Sequence, residues 1–319
     1  MSPADLSPAT VRRWRYPRLL LPPLCGLAWL AAMWGWDSSG YAWSFWLWLF
    51  ALAALPMCFA GARPRPAALA PATRLWFGVL LLLGLALRLP SLSEIPPNIA
   101  ADEILPGHEA MHISAGNYPN VFSSLGWFTI PGFAFLPPAL VMQLLPDEPF
   151  YALRLSSLLT GMIGLCFTFL LARRLFNDRI ALVTLFLMAV GFWHVHNSRT
   201  GFPFIQTSTF VPLVLYLLVR ARQHRSLRCM ALAGIALGFA LQGYFPVRAL
   251  MLLVPLFLVV GWIGRGDSLR RIVAESAIAG TGMLLVLFPL LSSVDVSEML
   301  GRSQQVLITR PAVAAELSR

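Results

Sequence analysis

The chain has 319 residues, 58% of them hydrophobic and only 12% charged, with a formal net charge of +10. A soluble domain of this length cannot bury so much apolar surface, because ordinary domains are about half apolar and about a quarter charged. A bilayer accommodates the excess. The positive charge does not mark a nucleic-acid binder, since the arginines form short clusters between apolar runs, as loop asymmetry across a membrane produces. All 24 basic side chains are arginine, a usage that fits a GC-rich bacterial genome.

Near the N-terminus, Arg12-Arg13-Trp14-Arg15 precedes an apolar stretch that reaches Trp34-Gly35-Trp36 without a small-residue cleavage site. It reads as an uncleaved anchor. Runs long enough to span, or nearly so, fall at 19–36, 43–60, 75–89, 151–171, 180–196, 203–219, 229–246, 249–264 and 274–292. The expected fold is an all-α polytopic bundle of about nine transmembrane helices. The 75–89 run is short, but Arg74 and Arg88 can snorkel from its ends. Between 89 and 127 lies the longest polar interval, which holds Glu94, Asp102, Glu103 and Glu109 but no arginine.

The apolar run 127–145 is broken by Pro131-Gly132 and Pro137-Pro138. Each proline removes a backbone donor and crowds the preceding turn. Charge decides whether this run crosses. With residues 1–18 in the cytoplasm and 127–145 not crossing, 17 arginines before the tail fall inside and 4 outside; with it crossing, the split is 10 and 11. Only the first obeys the positive-inside rule. The run is therefore expected to be re-entrant or interfacial, with its broken backbone buried in protein or facing a wet cavity. The expected division is a cytoplasmic arm and two extra spans over 1–74, a core over 75–292 with its outer loop at 90–126, and an outer tail over 293–319.

This topology gathers Asp102, Glu103, His108, His194, His196, Arg199, Tyr244 and Arg248 on the outer face. Adjacent acids near a helix start are commonly just solvated, since the helix dipole favours them there. Arg199 and Arg248 sit at membrane depth, where a guanidinium wants a carboxylate or phosphate, or snorkels to headgroups. His194 and His196 point apart on a helix, and His108 and His112 lack the glutamate of an HExxH zinc helix, so no metal site is read from them. Cys25, Cys58, Cys166 and Cys229 have no metal-type spacing and read as small buried hydrophobes. No cofactor is predicted.

The order of several segments resembles a known group. Pro96-Pro97-x-x-x-x-Asp102-Glu103 follows a span. Next come Ala152-Leu153-Arg154-Leu155, Leu171-Ala172-Arg173-Arg174-Leu175-Phe176 and Trp193-His194-x-His196-x-Ser198-Arg199-x-Gly201-Phe202. Gly234-x-x-x-Gly238 and Tyr244-x-x-x-Arg248 complete the set. Together they resemble bacterial GT-C membrane glycosyltransferases of the dolichyl-phosphate-mannose–protein mannosyltransferase-like group, family 39 and its aminoarabinose-transferase relatives, over roughly residues 75–290. The resemblance implies a polyprenyl-phosphate sugar donor, a protein or lipid/glycan acceptor, and an active site outside a bacterial inner membrane. It also implies that Asp102 matches the catalytic base and Glu103 the second acid. Arg199 and Arg248, with His194, His196, Tyr244 and His108, are the expected lipid-phosphate and substrate contacts. Members of the group usually run longer than this chain. Ile104-Leu105-Pro106 departs from the small or aromatic residues they tend to carry after the acids, and is expected to shift the following helix. A transporter or flippase of lipid-linked substrates, or a non-catalytic membrane assembly subunit, is the alternative reading.

Overall fold

A computed structural model describes residues 42–59, 68–97, 101–118, 120–265 and 268–294, with Ala28 and Ile99 as isolated positions. The N-terminal arm, almost all of the 19–36 run and the tail beyond Val294 lie outside the described residues. Among the described residues there is no β-strand, only an isolated bridge between Leu125 and Pro131.

Among the described residues eleven α-helices follow in order. They are α1 Ala42–Cys58, α2 Pro71–Ala86, α3 Ala101–Ser114, α4 Leu136–Leu144, α5 Pro149–Leu175, α6 Asp178–Val190, α7 Phe192–Arg199, α8 Ile205–Gln223, α9 Leu227–Leu241, α10 Leu250–Arg265 and α11 Leu269–Ser293. Two of them, α5 and α11, are long and apolar enough to cross a membrane, and α6 with α7 makes a third candidate if their 55° bend lies within one span. The expected count of about nine spans is thus met by fewer full-length helices, because several apolar runs form helices of 17 residues or fewer. At about 1.5 Å per residue such helices fall short of a hydrocarbon core of about 30 Å unless flanking turns extend them.

The 180–196 run is not one straight helix. It breaks at Gly191, whose backbone is extended at φ −61°, ψ 125°. A Cβ on Gly191 would lie 2.7 Å from the Leu187 carbonyl oxygen, so only glycine permits this corner. The 127–145 run likewise breaks up, into two 3-10 turns and the nine-residue α4. At about 14 Å, α4 is too short to cross.

Small residues let the long helices approach. In Gly234-x-x-x-Gly238 on α9, a Cβ at Gly234 would sit 2.1 Å from the Ala279 carbonyl oxygen of α11, and one at Gly238 would meet Val286 Cβ at 2.6 Å. This is small-residue packing of the kind that joins helices in lipid. Leucines and alanines of α8, α9, α10 and α11 form the largest apolar cluster. Trp48 of α1 packs on the same pair of helices and donates its indole N–H to the Leu285 carbonyl oxygen at 2.7 Å. A separate cluster joins α2, α5 and α6, and a third joins α3, α4 and α5. That third cluster carries the candidate site.

A candidate acid site clamped by buried arginines

Asp102 and Glu103 occupy the first turn of α3, where the helix dipole favours carboxylates. Consecutive helical residues point about 100° apart, and the two acids part accordingly. Glu103 is buried, whereas Asp102 is exposed and makes no hydrogen bond or ion pair among the described residues. α3 continues through Pro106. Since proline lacks the N–H that would reach back four residues, Pro106 leaves the Asp102 carbonyl oxygen without that helical partner.

Glu103 faces Arg154 of α5. Arg154 Nε donates to Glu103 Oε1 at 2.7 Å and Nη2 to Oε2 at 3.2 Å, the parallel fork that guanidinium and carboxylate favour. The remaining Arg154 donors take the carbonyl oxygens of Leu92, Ser93 and Pro96, and Phe150 stacks on the guanidinium at 4.3 Å. Glu103 Oε1 also accepts the Gly201 N–H at 2.8 Å. One carboxylate therefore ties together α3, α5 and the turn after α7.

Two more arginines complete the clamp. Arg199 donates from Nε, Nη1 and Nη2 to the carbonyl oxygens of Leu87, Arg88, Pro90, Ser91 and Ile95, at 2.8–3.3 Å. Arg88 donates to Ser198 Oγ, to the carbonyl oxygens of Gly84, Met188 and Ala189, and to His194 Nδ1 at 2.8 Å. A guanidinium has five N–H groups, and each of these three side chains spends them on the protein itself. The loop 87–96 is held in one shape ahead of α3 by these donors.

The other expected site residues sit as follows. His194 is buried, with Nδ1 accepting from Arg88 and Nε2 3.4 Å from Ser208 Oγ. His196 is half-buried and stacks on Phe192 at 5.7 Å. Tyr244 lies against Phe204 at 4.3 Å and beside Phe245, packed on the Ile130–Phe135 cluster that also includes Ile113 of α3. Arg248 is half-buried, its guanidinium over the Phe245 ring at 4.6 Å. His108 is exposed, meets His112 edge-on at 4.4 Å, and lines a cavity of about 200 Å³. Ile99, Glu103, Ile104, Met142 and Phe150 also line that nearly all-apolar cavity. The structure thus brings both Arg154 and Gly201 onto Glu103 and sets Asp102 and His108 on the same helix. His194 and Arg199 belong to the clamp behind it. No group of three or more metal-ligating side chains occurs among the described residues.

Sequence reasoning assigned no site role to Arg154 and expected Arg88 to snorkel, whereas Arg88 is fully buried and spends its donors on α2, α6 and α7. Arg154 does carry a signal, as the only charged residue in the first twenty positions of the apolar helix α5. An ionisable group so placed implies a partner.

The fold and site define a helical membrane protein that clamps a buried glutamate near one end of α5 and leaves the neighbouring aspartate open. A family profile described as dolichyl-phosphate-mannose-protein mannosyltransferase matches residues 131–292, and the chain belongs to this family of membrane glycosyltransferases. The matched segment contains Arg154, His194, His196, Arg199, Tyr244 and Arg248. It begins after α3, so Asp102, Glu103 and His108 lie outside it. No curated protein and no solved structure matches the chain.

Proposed function

We propose that the chain is an inverting glycosyltransferase that moves a sugar from a polyprenyl-phosphate donor to a protein or lipid/glycan hydroxyl on the non-cytoplasmic face, with Asp102 as base. Family membership supports transfer from a lipid-linked donor. The observation that carries the assignment of the base is the division of labour between neighbours: Glu103 is locked to Arg154, and Asp102 stands open beside it.

An acceptor hydroxyl has a pKa far above 7, so it needs a base within hydrogen-bond reach as it attacks. Asp102 takes that proton while the hydroxyl oxygen bonds to the anomeric carbon. The bond from that carbon to the lipid phosphate breaks, and the phosphate leaves as an anion. A single displacement with one base inverts the anomeric centre. Fixed cationic donors stabilise the leaving phosphate, and Arg248, with Tyr244 beside it, is our assignment for that contact. Glu103, Arg199 and His194 act through the clamp that shapes the loop ahead of α3. The apolar cavity beside Glu103 and His108 takes the first part of the prenyl chain, and His196 is assigned a substrate contact.

In this reading the core 75–292 is catalytic, and the whole chain forms about nine spans of a bacterial inner membrane. The N-terminus is cytoplasmic, and 127–145 stays on the outer side. The arginine distribution supports that sidedness. Reconstitution into vesicles loaded with a polyprenyl-phosphate hexose tests the activity. Sugar transferred to an external acceptor supports the reading, and translocation of the intact lipid-linked sugar without transfer replaces it with a flippase.

A further inference from the structure

Arg154 and Arg174 lie at opposite ends of α5, about 30 Å apart at 1.5 Å per residue. The far end of α5 turns directly into α6. The concavity at that turn, about 600 Å³, is lined by Arg173, Arg174, Phe176, Asn177, Asp178 and Arg179. Three guanidinium groups there face a single carboxylate.

Arg173 takes that carboxylate, with Nε 2.6 Å from Asp178 Oδ1, and also donates to the Ala68 carbonyl oxygen at 3.1 Å. Asp178 accepts as well from Thr73 Oγ1 at 3.1 Å, so its charge is already engaged. Arg174 reaches no carboxylate among the described residues; its Nη1 donates to His224 Nε2 at 3.1 Å. An imidazole nitrogen that accepts a hydrogen bond carries no proton, and this contact supplies no counter-charge. Arg179 is exposed and makes no hydrogen bond or ion pair among the described residues. Leu175, Phe176 and Ile180 stand exposed beside these cations, at 52%, 63% and 42%.

We propose that this concavity holds the headgroup of an anionic phospholipid, with its phosphate between Arg174 and Arg179. The adjoining exposed apolar side chains select a lipid over a soluble phosphate, because they offer the acyl chains a dry surface that a free anion cannot use. Basic pockets at the ends of membrane helices suit such headgroups on electrostatic grounds. The site lies at the opposite end of α5 from the acid pair and does not depend on the glycosyl-transfer reading.

The test uses the full chain in neutral detergent, titrated with headgroup-labelled phosphatidylglycerol or phosphatidylcholine. Phosphatidylglycerol is expected to bind in preference. Each juxtamembrane arginine is worth about 1 kcal/mol toward an anionic headgroup, or about 5-fold. R174Q should therefore weaken binding about 5-fold and R174Q/R179Q about 25-fold. R174K/R179K, which keeps both charges, should retain most of the preference, and R270Q at an exposed arginine elsewhere should leave it unchanged. Equal binding of the two lipids would overturn the site. So would an undiminished preference in R174Q/R179Q, or displacement of the lipid by an equal concentration of inorganic phosphate.

Discussion

Arg154 grips Glu103 through two parallel hydrogen bonds, with both side chains essentially inaccessible at 0% and 1%. The consequence falls on a third residue. With Glu103 fixed inward and its Oε1 also receiving the Gly201 N–H, the helical step turns Asp102 outward. An exposed carboxylate at a defined position is thus a product of a buried one.

Breaking this pair leaves an uncompensated charge in the interior, which typically costs about 3–5 kcal/mol. Arg154→Ala and Glu103→Ala should each lower stability by about that amount, read as a large loss of unfolding temperature in detergent. Arg154→Lys keeps the charge but cannot reproduce the fork, and should recover only part of the loss. An Arg154→Ala protein that melts with the wild type would show that the pair holds nothing.

Gly201 presses against Glu103 and the neighbouring Leu153. A Cβ there would lie 2.4 Å from Leu153 Cγ and 3.1 Å from Glu103 Cγ. Overpacking of this kind costs about 1–3 kcal/mol. Gly201→Ala should therefore destabilise by that order and, by shifting Glu103, reduce transfer more than stability alone explains. Activity measured well below the variant's melting temperature separates the two effects.

Helix packing gives a paired prediction. Gly234→Ala drives a methyl group into the Ala279 carbonyl oxygen at 2.1 Å, backbone that cannot yield cheaply, whereas nothing lies within 4 Å of a Cβ at Gly280. Gly234→Ala should lose about 1–3 kcal/mol or more. Gly280→Ala, in the middle of α11, should be neutral or gain up to about 1 kcal/mol from helix propensity. Thermal melts of the two variants side by side decide it.

Much of this architecture is legible from apolar run length. Eight of the nine runs read as spans coincide with helical segments, and the run 19–36 lies almost wholly outside the described residues. What run length cannot convey is a corner. The 180–196 run bends at Gly191, where a Cβ would meet the Leu187 carbonyl oxygen four residues back, and no periodicity records that. The acid pair is visible as adjacent carboxylates in a polar interval, but its partition into one buried and one open group is not, because it depends on Arg154, 51 residues away. Arg199 illustrates the same point. Its position at membrane depth suggests an external anion, yet its donors go to carbonyl oxygens of the loop from Leu87 to Ile95, more than 100 positions earlier in the chain.

The most direct test replaces the open acid and leaves the clamp alone. Asp102→Asn removes the basic carboxylate without adding bulk, at an exposed position where the fold should not change. A positioned general base is worth about 100- to 10,000-fold. In proteoliposomes supplied with a polyprenyl-phosphate hexose, Asp102→Asn should melt like the wild type and transfer sugar at least about 100-fold more slowly. Transfer at the wild-type rate by a folded Asp102→Asn protein would contradict the assignment of Asp102 as the base.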